Sequence, residues 1–483
     1  MNSDIREALR SVDIGRWRSV SVEFGAEILD IAVPPDCETL SMRDAPVLAD
    51  PGRAFAAALA SPFGTPPLEE IVRGKGKPPS ELSVAVSVSD ITRPVPYKGE
   101  GGLLRPLLAV LEGAGIRRKN LVIVVGTGMH RASTAGEKLE MFGEPVVAGY
   151  RIVDHDCEDA SSLVHIGRTA SGTAVHVNAV FAGSDLRVVT GLVESHFMAG
   201  VSGGRKGICP ALVDKRTIQR FHSPEFLESP RADNLILDGN PCHLESLEIA
   251  RTVGVDFLVN VTLDKDMRLT GVFAGHLEEA HRAAVRSMSG TAAIPIDREF
   301  DIVLTHSGYA GRNHYQSAKA GCSAAAAVKT GGTIVLAADN RDPEPVGSIE
   351  YRHLLGRFKA LGGIEGYLEM LRDPGWTFTK DQWEPEVWGR VTKKVGNEGL
   401  IYCSPQISGA DSSLLPGLSG LDFLDPDRGL AGREAARAMV QNALIFAVHR
   451  SMRKGGGLPS VAFLREGPYG VPVLSGPGAS YPA

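Results

Sequence analysis

The residues best able to do chemistry in this chain follow, one after another, directly on short apolar runs. SVAVSVS (83–89) leads into Asp90 and Arg93 of SDITRPVP; LVIVVG (121–126) is followed by His130; YRIVDH (150–155) ends on His155, with Asp156 next; LRVVTG (186–191) leads to Glu194 and His196. Histidine trades protons near neutral pH and binds metals through an unprotonated nitrogen, so His130, His196 and the later His222 each qualify as acid/base or ligand. Singly, each also fits a histidine that merely satisfies buried backbone groups. Three of them, beside a lysine and an Asp/Arg pair, favour a site. Arg93 is stiffened by Pro94 and Pro96 and is suited to grip a carboxylate through both arms of its guanidinium; a simple salt bridge with Asp90 is the alternative.

The stretch GLVESHFMAGVSGGRKG (191–207) crowds glycines around Ser202 and Lys206. Glycines let backbone amides approach a phosphate closely. No nucleotide-triphosphate loop is spelled here, because Lys206 is followed by Gly207 rather than Ser or Thr and the GxxxxGK spacing fails. A mononucleotide phosphate fits better than ATP, and a tight turn with a solvated lysine is the plain alternative. Farther on, Gln316 and Lys319 of HYQSAKAG lie three apart and share one helical face, as a second anion clamp or as ordinary solvated surface.

The elements that must position these residues alternate between two periods. Besides the four runs above, FLVNVTL (257–263), DIVLT (301–305) and TIVLA (333–337) read as strands, and helical patterns separate them. LLRPLLAVLEGAG carries leucines at helical spacing and stops at Gly113 and Gly115, as a crossover helix between parallel strands does. The expected fold is α/β, two domains with mainly parallel sheets flanked by helices. In such sheets ligands bind beyond the carboxyl ends of the strands, which is where the polar residues collect. A boundary near 285–300 divides an N-terminal cofactor-binding and catalytic domain, 1–292, from a C-terminal α/β domain, 293–483, that closes over the substrate. HSGYAGRNHYQSAK follows DIVLT in the same manner, so the two strand-end edges are expected to face each other across an active-site cleft.

Composition removes several classes of function. With 483 residues the chain is too long for one ordinary core, and a balance of 43% hydrophobic and 22% charged residues is that of a globular protein. No apolar run approaches the ~20 residues of a membrane-spanning helix, and MNSDIREALRSVDIGRW lacks the apolar core of a secretory signal, so a cytoplasmic location without membrane partners is expected. A net charge of −6 with scattered basic residues argues against nucleic acid. The six cysteines form no CxxC pair, which argues against thiolate-bound zinc. The Gly/Pro/Ser-rich last dozen residues read as loosely held, and GREAARAMVQNALIFAVHRSMRK as a helix of unassigned role.

Taken together, these motifs resemble the lactate racemase family, the nickel-pincer-nucleotide enzymes, from about Val20 to past Trp383. SDITRPVP resembles the family's DxTRPxP segment, GTGMHR its GTGxHR, GLVESHFMAGVSGGRKGICP its GLxExHxxxGxSGGxKGxxP and HYQSAK its YQxxK. The resemblance implies a pyridinium nickel-pincer nucleotide at Lys206, joined to it through a thioamide in some members. It implies His222 as the protein ligand to nickel, and His130 and His196 as paired catalytic histidines. Asp90, Ser202, Gly203 and Gly204 would lie along the cofactor; Arg93, Tyr315, Gln316, Lys319 and Trp383 would hold the substrate, although Trp376 lies only seven residues from Trp383.

On that resemblance one histidine removes the hydroxyl proton of a small 2-hydroxy acid while the Cα hydride passes to the cofactor, and the opposite histidine returns a proton after the keto acid presents its other face. The implied activity is a racemase or epimerase, an isomerase, with cofactor-biosynthesis enzymes as partners and a homo-oligomer allowed. The polar HSGYAGRNHYQ segment points to a substrate larger or more polar than lactate. A nickel-pincer dehydrogenase of hydroxy or sugar acids, a noncatalytic ligand-binding homologue and a Schiff-base lyase using Lys206 are the competing readings.

Overall fold

A computed structural model describes residues 3–99, 101–309, 311–455 and 457–475. The end of the Gly/Pro-rich tail, 476–483, lies outside them. The chain forms two compact units: one joins the segment up to Arg43 to the chain from Ala292 onward, and the other spans Asp44–Thr291. The N-terminal domain expected over 1–292 is corrected at its start, because the first 43 residues belong to the composite unit.

The reason is visible in the alternation of that segment. Strands β1 (Arg18–Phe24) and β2 (Glu27–Val33) form an antiparallel hairpin. Its inward residues Val20, Val22, Phe24, Leu29, Ile31 and Val33 are buried in the same core as Met439, Val440, Ala443 and Leu444 of the long helix Gly432–Gly455. Strand β3 (Glu38–Leu40) then pairs in parallel with Ala462–Leu464. An apolar hairpin face left without that helix would expose six core side chains to water, at roughly 1.5–3 kcal/mol each.

The inserted unit carries β4 (Val84–Ser89), β5 (Leu121–Gly126), β6 (Arg151–Asp154), the hairpin of β7 (Leu163–Arg168) and β8 (Ala174–Asn178), then β9 (Leu186–Leu192). A two-residue ribbon, β10 (Ser195–His196) with β11 (Gly200–Val201), precedes β12 (Phe257–Leu263) and β13 (Leu269–Gly275). Its main sheet runs β13-β12-β9-β4-β5-β6, parallel throughout except for the antiparallel β12–β13 pair. Central strands β4 and β5 are buried on both faces, which is why they read as unbroken apolar runs. The helix Leu104–Gly113 buries Leu104, Leu107, Leu108 and Leu111 on one stripe and makes the β4-to-β5 crossover. After β4 the order proceeds outward through β5 and β6, then resumes on β4's other side with β9. That reversal is a switch point.

The composite unit resumes with β14 (Ala293–Ile296), β15 (Phe300–His306), β16 (Val328–Ala337), β17 (Leu400–Cys403), β18 (Leu418–Ser419), β19 (Val461–Leu464) and β20 (Val471–Leu474). Its sheet, β18-β17-β16-β15-β19-β3, is parallel, and β14 pairs separately with β20. The helix Gly432–Gly455 is thus a core element. Among the described residues no helix is long and apolar enough to cross a membrane.

Candidate active site

Asp90 ends β4 at the switch point and is almost fully buried, 6% exposed. Its Oδ1 accepts from the Thr92 amide (3.2 Å) and hydroxyl (2.6 Å), and its Oδ2 lies 2.6 Å from His130 Nδ1, beyond the end of β5. Burial pushes the Asp90 carboxyl upward, but hydrogen bonding and charge from His130, helped by Thr92 and Arg93, outweigh it and hold the group below its ordinary value. An ionised carboxylate only accepts, so Nδ1 carries the hydrogen and the lone pair of neutral His130 is on Nε2. The His130 side chain is 46% exposed, so that nitrogen is reachable. Arg93 pairs at 3.9 Å with Glu194, which follows β9, rather than with Asp90.

His196, on β10, is held the opposite way. Its buried Nδ1 accepts the backbone N–H groups of Met198 and Ala199, both at 3.2 Å, so the hydrogen of the neutral ring is on Nε2. The tight reversal behind it depends on Gly200, opposite His196 in the ribbon: φ is +76°, and a Cβ there would stand 2.1 Å from the Ile236 carbonyl oxygen.

The turn bearing Lys206 is tied to the sheet at several points. The Ser202 hydroxyl donates to the Leu192 carbonyl (2.8 Å) and accepts from the Glu194 amide (2.9 Å); Gly204 N–H donates to Asn260 Oδ1 (2.9 Å); Ser87 donates to the Gly207 carbonyl (2.8 Å). A Cβ on Gly203 would meet Val193 and Asn260, and one on Gly204 would meet His281, so close packing inside the protein already demands both glycines. Burial, then the charges of Arg93 and Arg205, pushes the Lys206 amine down to about 7. Its Nζ lies 5.0 Å from the centre of the Phe221 ring. Next to that ring, His222 donates Nδ1–H to the Ile218 carbonyl at 2.9 Å, which puts its lone pair on Nε2; burial pushes it down to about 3, so it stays neutral.

In the composite unit, the helix His314–Ala325 begins at an Asn313 cap, whose side chain accepts from Gln316 N–H, and carries Tyr315, Gln316 and Lys319. Trp383 Nε1 donates to the Tyr315 hydroxyl at 3.0 Å, which joins Trp383 to this cluster. Trp376 is engaged elsewhere, donating to Gln382 with Arg357 over its ring. Within HSGYAGRNHYQ, His306, Ser307 and His314 are fully buried, His306 bonded to the Arg465 carbonyl and the Gly308 amide and His314 stacked on Trp388, whereas Tyr309 and Arg312 are exposed. His155 is structural as well, bonded at 3.0 Å to the Val213 carbonyl.

Sequence reasoning placed Asp90 along a cofactor and overlooked it as the partner of His130, although SDITR puts a carboxylate at the end of one strand and GTGMHR a histidine at the end of its neighbour. It also overlooked Glu194 as the counter-ion of Arg93. Here the signal was the acidic residue two positions before His196.

Comparison with known proteins identifies the family. The family model for the lactate racemase N-terminal domain matches residues 24–234. Lactate racemase of Lactiplantibacillus plantarum is 36% identical over 340 residues, covering 69% of this chain and 76% of that protein; lactate racemase of Thermoanaerobacterium thermosaccharolyticum is 33% identical over 337 residues, covering 69% and 75%. The solved lactate racemase apoprotein of T. thermosaccharolyticum superposes with a TM-score of 0.77 at 25% identity, over 94% of this chain and all of that one. A protein of solved structure from Thermotoga maritima, 16% identical with a TM-score of 0.56, shares the fold over 86% of this chain. With relatives above 30% identity that it matches over three-quarters of their length, this chain belongs to the lactate racemase family.

Proposed function

We propose that the protein is an isomerase that interconverts the enantiomers of a small 2-hydroxy acid of the lactate class. The observation that carries the reading is the pair of strand-end histidines with opposite ring polarity on either side of β4: His130 with a base nitrogen, His196 with an N–H donor. The likeness to two lactate racemases supports the substrate class.

The residues fit a nickel-pincer nucleotide. Among the described residues no three His, Cys, Asp or Glu side chains converge as an all-protein metal site. His222 offers a single nitrogen, and Lys206 a near-neutral amine suited to covalent attachment. A metal that arrives within an organic ligand needs one protein donor and one anchor, and these two supply them. When bound, the group supplies the acceptor for the substrate's Cα hydride. Asp90 and the Ser202–Gly204 turn lie along it in this reading.

The chain's own residues then divide the work. Arg93, braced by Glu194, holds the substrate carboxylate. For the enantiomer whose hydroxyl meets His130, Nε2 takes the proton while Asp90 stabilises the imidazolium that results. His196 Nε2–H stands ready to polarise an oxygen on its own side, as a neutral imidazole does. For the opposite enantiomer His196 must accept a proton at Nε2, so the Met198 and Ala199 amides must move off Nδ1. Two long hydrogen bonds make that affordable, at about 1 kcal/mol each. The substrate contacts that the resemblance implies for Tyr315, Gln316, Lys319 and Trp383 belong to the same proposal, as do a cytoplasmic setting and dependence on cofactor-biosynthesis enzymes.

The test is to produce the chain together with such enzymes, measure nickel and the mass added at Lys206, and follow each lactate enantiomer by chiral chromatography. Nickel bound in proportion to protein, with both enantiomers converging on an equal mixture, is the expected result; neither nickel nor interconversion overturns it. The fixed Nδ1 of His196 gives one specific reason for a second reading, one-handed oxidation. Keto acid accumulating in place of the opposite enantiomer would select it.

A further inference from the structure

Arg205, the residue before Lys206, is among the largest fully buried side chains of the protein, 1% exposed, and no carboxylate pairs with it among the described residues. Its hydrogen bonding is thin. Nη2 donates to the Ala199 carbonyl at 2.8 Å, Nη1 reaches the Gly203 carbonyl only at 3.4 Å, and Nε has no partner. Nη1 also lies 3.2 Å from His281 Nε2, but that nitrogen is 2.9 Å from the Ser202 carbonyl, and one ring nitrogen cannot donate to the carbonyl and accept from the guanidinium at once. A buried guanidinium with five donors and so few acceptors is expensive unless something else satisfies it.

Arg205, His243 and His281 line a cavity of about 50 Å³, with Asp238, Glu278 and Arg282 at its more exposed side. His243 also has a buried ring nitrogen, Nδ1, without a partner. Glu278 is already committed to Arg251 and Arg282. The volume exceeds what one water needs, and two of the side chains that line it, Arg205 and His243, each carry a buried nitrogen without a partner.

We propose that this cavity binds a small inorganic oxyanion of the sulfate or phosphate class, held by the side chains of Arg205 and His243. An oxyanion supplies several acceptor oxygens in one compact body and the missing negative charge, which a water does not. The electrostatics point the same way: burial, then Arg205, His281, Arg282 and Arg251, depresses the His243 ring to about 2, the mark of a site short of negative charge. The site also has a short path to the candidate active site, because Arg205 bonds the Ala199 carbonyl and the Ala199 amide bonds His196 Nδ1.

The test needs no turnover. The full chain is unfolded thermally in rising sodium sulfate, balanced with sodium chloride at constant ionic strength, beside H243F and R205M. Saturable stabilisation of a few degrees in the wild type, absent in H243F, is expected from mass action. No saturable rise, or the same rise in H243F, overturns the proposal. R205M removes a core side chain whose loss can prevent folding, so a measurement on the wild type stands beside it. Crystals soaked in selenate should show a selenium anomalous peak in this cavity, one Se–O bond beyond hydrogen-bond distance of the Arg205 and His243 side chains. A peak elsewhere only, or none, counts against the site.

Discussion

His130 follows β5 and His196 follows β9, the two strands that flank β4, and they hold their rings by opposite means. A buried carboxylate takes the Nδ1 hydrogen of His130 and makes its outer nitrogen a base, whereas two backbone amides occupy Nδ1 of His196 and make its outer nitrogen a donor. The side chains are identical; the difference lies in what the fold puts behind each. On the proposed function, a pair that serves two mirror-image substrates is therefore not built as a mirror image, and the two half-reactions should respond differently to change.

That difference is invisible in steady state, because enantiomers have equal free energy and kcat/KM must match in the two directions for any variant. It is visible in single-turnover quenching of the loaded protein with each pure enantiomer, with the keto acid measured. The largest expected effect is that of H130N, about 10³-fold slower keto-acid formation from one enantiomer with the other changed less than ~10-fold. Equal losses from both would break the comparison. D90N should slow the same enantiomer by about 10²-fold, because an amide no longer fixes the ring hydrogen on Nδ1. G200A strikes the other side: an added methyl at φ +76°, against the Ile236 carbonyl, should destabilise the chain by about 1–3 kcal/mol in denaturant titration and slow the His196-side enantiomer preferentially. R93K keeps the charge and loses the planar fork, so KM should rise roughly 10-fold for both enantiomers alike. The smallest change is T92V. It deletes a 2.6 Å hydrogen bond that helps hold the Asp90 carboxyl low, so Asp90 should titrate at higher pH and the acid limb of the His130-side half-reaction should move upward in pH.

What could be read from the sequence follows the same contrast between local and distant causes. Strands β4, β5, β9, β12, β15 and β16 announced themselves because buried parallel strands are continuous apolar runs, whereas β13, β17, β18 and β19 were not read; the strand-end rule then pointed to Asp90, His130 and His196. The same rule would admit His306, which ends β15, and His314 beyond it, yet both are buried; their neighbours are Arg465, Tyr351 and Trp388, all distant in the chain. The place of β3 was illegible for a similar reason. Three residues carry almost no pattern, and their partner strand lies near the other end of the sequence. Arg205 reads as one more charge in a glycine turn, and only the fold reveals a guanidinium sealed in the interior.

The path of the chain sets an order of assembly. The inserted unit is complete once residue 291 has been made, so its sheet can close while synthesis continues. Strand β3 must wait for β19, more than 400 residues later, an interval of roughly 20–80 s at ~5–20 residues per second. During that interval the apolar face of the β1–β2 hairpin has no partner helix. The start of this chain thus waits longest for its partner strand, with an apolar face that must be shielded while the rest is made.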